Sequence, residues 1–352
     1  MRADFATRIG SPVAYRRNHR IVSTRIDVLE KAHAKKQSGL GRTVVIVAAT
    51  FLICITLIGA TQWLRSPDFS VTTLSGLPGQ WLAAIWKPWF FLFAAVLFVM
   101  QWVFPGRKDE NPFSHGLMVD LGWFLFAPIL ALTMISVQLG ALGNGLVTVF
   151  GKPATDLVPI LGTWKVAILA FVVADLIGWV NHWMHHKFPS LWLFHAVHHS
   201  QTEMNVFSDS RNHVIEVLIA STLSFIPAWF LGLDVAQAAT LAIFSSFVSS
   251  FIHTNVRVNL GPLRYIFISP QAHRIHHSLD DDHYNTNFGT VFSWWDYLFN
   301  TKHPDDRSYP RTGITDDRFP LEHSAHPIAV GRTISSQLLY PFKVLAAPFS
   351  HD

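Results

Sequence analysis

The chain has 352 residues, of which half are hydrophobic and only 14% charged, and its net charge at neutral pH is +4. A water-soluble globule carries about a quarter charged residues, so this composition excludes one. The single cysteine, Cys54, excludes a disulfide scaffold, a four-cysteine zinc site and a cysteine-ligated iron–sulfur cluster.

In chain order, residues 1–42 hold ten Lys/Arg against three acids. Residues 43–64 then run 22 positions without a charge, which meets the roughly 20 that a helical membrane span requires. The tail is too long for a signal peptide and no small-residue cleavage site follows the apolar run. A second uncharged stretch covers 88–106, and the linking loop 65–80 has one charge of each sign. The excess of basic residues therefore keeps the N-terminus cytoplasmic. After the cluster Arg107, Lys108, Asp109 and Glu110, a third apolar segment occupies 121–142. A fourth, at 162–181, contains Lys165 and Asp175. Residues 217–233 and 235–252 are uncharged and separated only by Asp234, which reads as a hairpin of two short or half-sunken helices. The expected fold is an all-α integral membrane protein of four to six helices with a histidine-bearing helical cap on the cytoplasmic face. Its divisions are a basic tail (1–42), N-terminal membrane helices (43–142), a histidine-box core (143–301) and a C-terminal tail (302–352) in which 335–349 forms an interfacial helix. An anionic membrane leaflet is the expected partner of the basic tail. No recognition module accompanies the basic run, which argues against nucleic acid.

Twelve of the nineteen histidines lie between His182 and His283, on the side of the membrane assigned to the cytoplasm. His182 and His186 form an HxxxH pair; side chains four apart share a helix face about 6 Å apart, close enough to grip one metal ion. His195, His198 and His199 form HxxHH, and His273, His276 and His277 repeat it. On a helix each HxxHH offers up to three imidazoles to one centre. Eight imidazoles in three boxes fit two metal ions better than one. His213 and His253 bracket the hairpin and return to the same depth, as ligands or as donors to ligands. His185 points off the HxxxH face, toward solvent or lipid headgroups. Asp175 lies two turns before His182, where an unpaired carboxylate is costly in lipid, and is expected to hold an imidazole N–H or offset charge. Glu216 and Asp282 are candidates for the same positioning or proton-handling work.

These boxes resemble the fatty acid hydroxylase/sterol desaturase superfamily of integral-membrane oxygenases. The resemblance rests on Asp175, the HWMHH run at 182–186, HAVHHS at 195–200, Asn205, RNHVIE at 211–216, PQAHRIHHS at 270–278, Asn287-Phe288-Gly289 and WDYLF at 295–299. Departures occur at Trp179, Trp183, Val214 and Asn300, none of them a proposed ligand. The resemblance implies two iron ions, dioxygen as co-substrate and hydroxylation or desaturation of a lipid C–H bond in a sterol, fatty acyl chain or ether lipid. Zinc suits imidazole as well as Fe(II) does, so ligand type alone does not name the metal. Neither a GxGxxG turn nor a CxxCH haem attachment is present. Electrons are therefore expected from a separate reductase, ferredoxin, cytochrome or reduced pterin. Two rivals share the histidines: a zinc-dependent lipid hydrolase and a histidine-rich metal transporter.

Overall fold

A computed structural model of the chain describes residues 88–151, 157–233 and 235–346. All belong to one of the chain's two compact units, Ile55–Asp352. The basic tail and the first expected span, 43–64, lie outside the described residues. Among the described residues every regular element is helical, and extended pairing is limited to isolated bridges such as Pro105 with Val256 and Phe267 with Phe292.

Helix α1 (Pro88–Val103) occupies the second apolar stretch. Helix α2 (His115–Phe150) is longer than its apolar segment because Ser114 starts it, accepting from the Leu117 N–H at 3.2 Å. Its 36 residues reach about 54 Å and run through the division expected at 142/143. A single turn, α3 (Val158–Leu161), precedes α4 (Thr163–Lys187). Helix α4 is the one helix among the described residues that is long and apolar enough to cross a membrane, with a mean hydropathy of 1.7 over its best window. Leu92, Val99 and Trp102 on α1, and Trp164 and Ile168 on α4, are exposed large apolar side chains.

The junction after α4 sets up the site. Phe188 precedes Pro189, whose ring disfavours helical backbone in the residue before it, and Phe188 accordingly has φ −105° and ψ 115°. Proline has no N–H to lose at a helix start, so Pro189 ends α4 and opens α5 (Pro189–His199) at once. The two boxes on these helices are thereby folded onto each other without an intervening loop. Helices α6 (Val214–Phe230) and α7 (Val235–Ile252) form the expected hairpin, with α6 packed against both α2 and α4. Short α8 (Pro270–His276) starts at Ser269, whose hydroxyl accepts from the Ala272 N–H at 3.1 Å, and α9 (Trp294–Leu298) follows.

The largest core cluster, including Val119, Trp123, Val197, Phe319 and Ile334, lies between α2, α5 and α10 (Pro327–Ala346). Burying each aliphatic or Phe side chain there contributes about 1.5–3 kcal/mol, so the back of α5 is firmly seated while its histidines face the other way. Helix α10 starts earlier than the 335–349 segment expected from the sequence. It fixes Trp123 through a 2.9 Å bond from the indole N–H to Gln337 and leaves Ile328, Leu339, Phe342 and Leu345 exposed.

Candidate metal centre

Nine imidazoles converge in two adjoining groups. His182 and His186 from α4, His195 and His199 from α5, and His276 from α8 form the first. His198 from α5, His253 just after α7, and His273 and His277 at α8 form the second. Within each group one ring nitrogen per residue lies within 4.8 Å of all the others. The groups abut where His199 and His277 stack with ring centroids 4.2 Å apart.

Each HxxHH box divides its histidines rather than delivering all three to one centre as the sequence suggested. At 3.6 residues per turn, neighbouring residues point about 100° apart, while positions i and i+4 nearly coincide. His195 and His199 therefore turn to the first group and His198 to the second. On α8, His273 and His277 turn to the second group and His276 to the first. Two boxes of opposite allegiance make two sites side by side.

The nitrogen geometry fits metal ions. Nε2 of His253 lies 3.1 Å from that of His198 and 2.9 Å from that of His273, which is 3.1 Å from that of His277. Metal–nitrogen bonds of about 2.0–2.1 Å give tetrahedral or octahedral N–N edges of about 2.9–3.4 Å. In the first group, the Nε2 atoms of His182, His186 and His276 are buried with no hydrogen-bond partner, an arrangement too costly to leave without a ligand. The opposite nitrogens are engaged. Nδ1–H of His182 donates to the Phe288 carbonyl at 2.8 Å, that of His276 to Thr286 at 2.7 Å and that of His253 to Ser249 at 2.7 Å. His195 Nδ1–H donates to Glu216 Oε1 at 2.6 Å. Each such bond fixes the tautomer that leaves Nε2 free to bind metal. Burial holds His198, His199, His273 and His277 well below the ordinary imidazole pKa and pushes His276 down to about 3, so these rings are neutral donors at physiological pH.

Other expected positions fall elsewhere. His213 does not join the groups: its Nδ1 caps α6 by accepting from the Ile215 N–H at 3.1 Å, and its Nε2–H donates to the Leu338 carbonyl at 3.0 Å. With both nitrogens taken, it connects α6 to α10. His185 is buried rather than solvent-facing, its Nδ1 bonded to Asn181 O and its ring 5.5 Å from that of His195. Asp175 holds no imidazole. Its carboxylate accepts from the Val291 and Phe292 backbone N–H groups at 3.2 Å and from the Trp295 indole at 2.9 Å, tying the segment before α9 to α4. Asp282 is exposed in a turn at 281–283 and belongs to neither group.

Sequence reasoning missed three carboxylates. Asp296 accepts from the Trp179 indole and from the Phe288 and Gly289 N–H groups, holding Phe288 over His182, His186 and His276 at centroid distances of 5.2–5.7 Å. Asp209 accepts from Ser249, the residue whose carbonyl fixes His253. Asp120, fully buried in α2, accepts from Gln201, Asn205, Ser208 and Arg211. Arg211 also donates to Ser200 and Glu322, so this network clamps the chain that follows the second box. An acid at the very edge of an apolar segment was the available signal at Asp120, weaker than the one at Asp175, which lies inside its segment.

Residues 167–301 match the family described as Fatty acid hydroxylase. Among curated relatives, ornithine lipid hydroxylase OlsE of Rhizobium tropici is 35% identical over 156 residues, 43% of this chain and 47% of the relative. Alkylglycerol monooxygenase of Homo sapiens is 30% identical over 244 residues, 68% of this chain and 51% of the relative. Cholesterol 25-hydroxylase of Homo sapiens is 23% identical over 196 residues, 55% of this chain and 70% of the relative. The matched stretch spans about half the length of the first two relatives. No solved structure matches the chain.

Proposed function

Residues 167–301 are a fatty acid hydroxylase domain and the chain belongs to the fatty acid hydroxylase/sterol desaturase superfamily; from that premise we propose that it hydroxylates a membrane lipid at an unactivated C–H bond. The observation that carries the reading is the pair of histidine groups, whose imidazoles, four of them oriented by a hydrogen bond at Nδ1, present converging nitrogens to two adjacent points. On this reading the first group holds one iron ion and the second group the other. Iron bound there would supply the activation of dioxygen, with two electrons from a separate donor such as a reductase, ferredoxin, cytochrome or reduced pterin.

The chain's own residues do the rest. Glu216 holds the proton on His195 Nδ1 and so keeps Nε2 available. The Phe288, Thr286 and Ser249 carbonyls hold the corresponding protons on His182, His276 and His253. Phe288, with no exposed surface, covers the first group and excludes water from that side. Asp296 keeps this cover in place by capturing the N–H groups of Phe288 and Gly289, and Asp175 by capturing those of Val291 and Phe292 just after it.

The wider organisation belongs to the same proposal. Four to six membrane helices with the N-terminus and the boxes on the cytoplasmic side, around a core at 143–301, put the site where a water-soluble electron donor and a hydrocarbon chain can both reach it. The exposed apolar faces of α1 and α4 support placing these helices in lipid. Metal analysis of the purified protein tests the reading. Two iron ions per chain are expected, with oxygen-dependent loss of a host lipid that disappears in His273→Ala. Two zinc ions with oxygen-independent lipid cleavage would favour the hydrolase, and metal flux into vesicles would favour the transporter.

A further inference from the structure

Between the end of α1 and the start of α2 the chain builds a polar cavity that the histidine groups do not use. It measures about 240 Å³, and its lining includes Gln101, Lys108, Glu203, Asn205 and Asn255. Gln101 is 4% exposed, and its Oε1 has no hydrogen-bond partner among the described residues. A buried acceptor left so is costly unless a donor meets it. Two other charges in the wall are already committed: Arg107 pairs with Asp109 and Glu110, and Glu110 with Arg274. Among the described residues that leaves one basic group, Lys108, and one acid, Glu203, outside the ion pairs of this wall.

A second recess of about 520 Å³ adjoins the cavity, sharing Pro105 and Lys108 with it. Apart from Arg257, the rest of its lining is apolar: Met100, Val103, Phe104, Val256 and Val258. Trp102, Phe104 and Phe113 stand out at 70%, 62% and 67% exposure around this corner. Exposed aromatics beside basic side chains are the pattern of a membrane–water boundary. A charged cavity opening beside an apolar recess at such a boundary has the shape of an amphiphile. The wall also shares turns with the metal centre: Asn255 comes two residues after His253, and it accepts at 3.3 Å from Arg274, the residue after His273.

We propose that this cavity binds the zwitterionic headgroup of the lipid that the enzyme oxidises. Lys108 takes the phosphate or carboxylate, Glu203 and Gln101 Oε1 take the ammonium, and the recess receives the carbons next to the headgroup. The assignment rests on the lipid-oxidation reading, so its test must not depend on turnover. Iron-loaded full-length protein in detergent is incubated with equal amounts of phosphatidylethanolamine and phosphatidylglycerol of matched acyl chains, and retained lipid is counted by native mass spectrometry. The wild type is expected to retain the zwitterionic lipid about tenfold over the anionic one, the scale of one charged hydrogen bond. Glu203→Gln is expected to bring the ratio close to one, and Lys108→Met to lower retention of both lipids about equally because both carry the phosphate, with iron content unchanged in each. Equal retention by the wild type, an unaltered ratio in Glu203→Gln, or undiminished retention of both lipids in Lys108→Met overturns the assignment. Selective retention by a chain that oxidises no lipid contradicts the enzymatic reading and with it the headgroup's place in a substrate. Selective retention with no preference in turnover also overturns the assignment.

Discussion

His195 shows how one imidazole is prepared for a metal. Its Nδ1–H donates to Glu216 Oε1 at an N···O distance of 2.6 Å, so the ring is held and Nε2 keeps its lone pair. Glu216→Gln preserves an acceptor but removes the charge that makes the imidazole a strong donor. Loss of such a partner weakens metal binding by roughly 10–100-fold, and chelator competition on the purified variant is the measurement. His213 and His253 give a sharper contrast. His253→Ala is expected to remove metal from the second group alone, lowering metal per chain by one. His213→Ala is expected to keep both metals and to lower the melting temperature, since a lost cap costs about 1 kcal/mol. Metal loss in the His213 variant would contradict the geometry. Spacing alone could not separate these two residues. Both flank the hairpin, and only the direction of the ring, set by the caps and carbonyls around it, decides which one faces the centre.

At the scale of elements, the helix and the loop contribute differently. Box spacing within a helix was legible because helical periodicity is fixed, and α4 and α5 carry their histidines where that periodicity puts them. The split of each HxxHH between two groups follows from the same periodicity once α8 is packed so that His276 meets His182 and His186 while His273 and His277 meet His198 and His253, and that placement comes from tertiary packing. The Pro189 junction was readable in principle, since a proline after an apolar helix marks a stop. The function of Asp175 was not, because its partners are 116 to 120 positions away and two of them are backbone N–H groups that carry no residue signature. Asp175→Ala would leave those two amides and the Trp295 indole without their acceptor. The expected cost is about 2–4 kcal/mol, taking each buried donor at about 1–3 kcal/mol and allowing for partial rehydration. Denaturant titration in detergent measures it. Asp175→Asn, which keeps an acceptor oxygen, is expected to lose less. Equal losses would show that the carboxylate's charge, rather than its hydrogen bonds, holds the segment.

For the whole molecule, composition and topology converge on one location. A chain half hydrophobic and 14% charged leaves Leu92 and Trp102 on α1 and Trp164 and Ile168 on α4 exposed, which supports the proposed placing of these helices in lipid. The histidines gather around the C-terminal end of α4, past most of its apolar stretch, which on the proposed membrane placement sets them where hydrocarbon and water meet. The core behind α5 and the Asp120–Arg211–Glu322 network make this end rigid, which a two-metal site requires because ligand nitrogens must stay within a few tenths of an ångström of their places. The central claim is that this rigid pocket oxidises a lipid with dioxygen rather than cleaving it with water. Supplying the iron-loaded enzyme and its electron donor with ¹⁸O-labelled dioxygen in unlabelled water, and weighing the extracted lipids, tests that claim most directly. The account predicts a lipid product heavier by one labelled oxygen atom, absent in His273→Ala. A product that takes its oxygen only from water, or that forms equally without dioxygen, would contradict it.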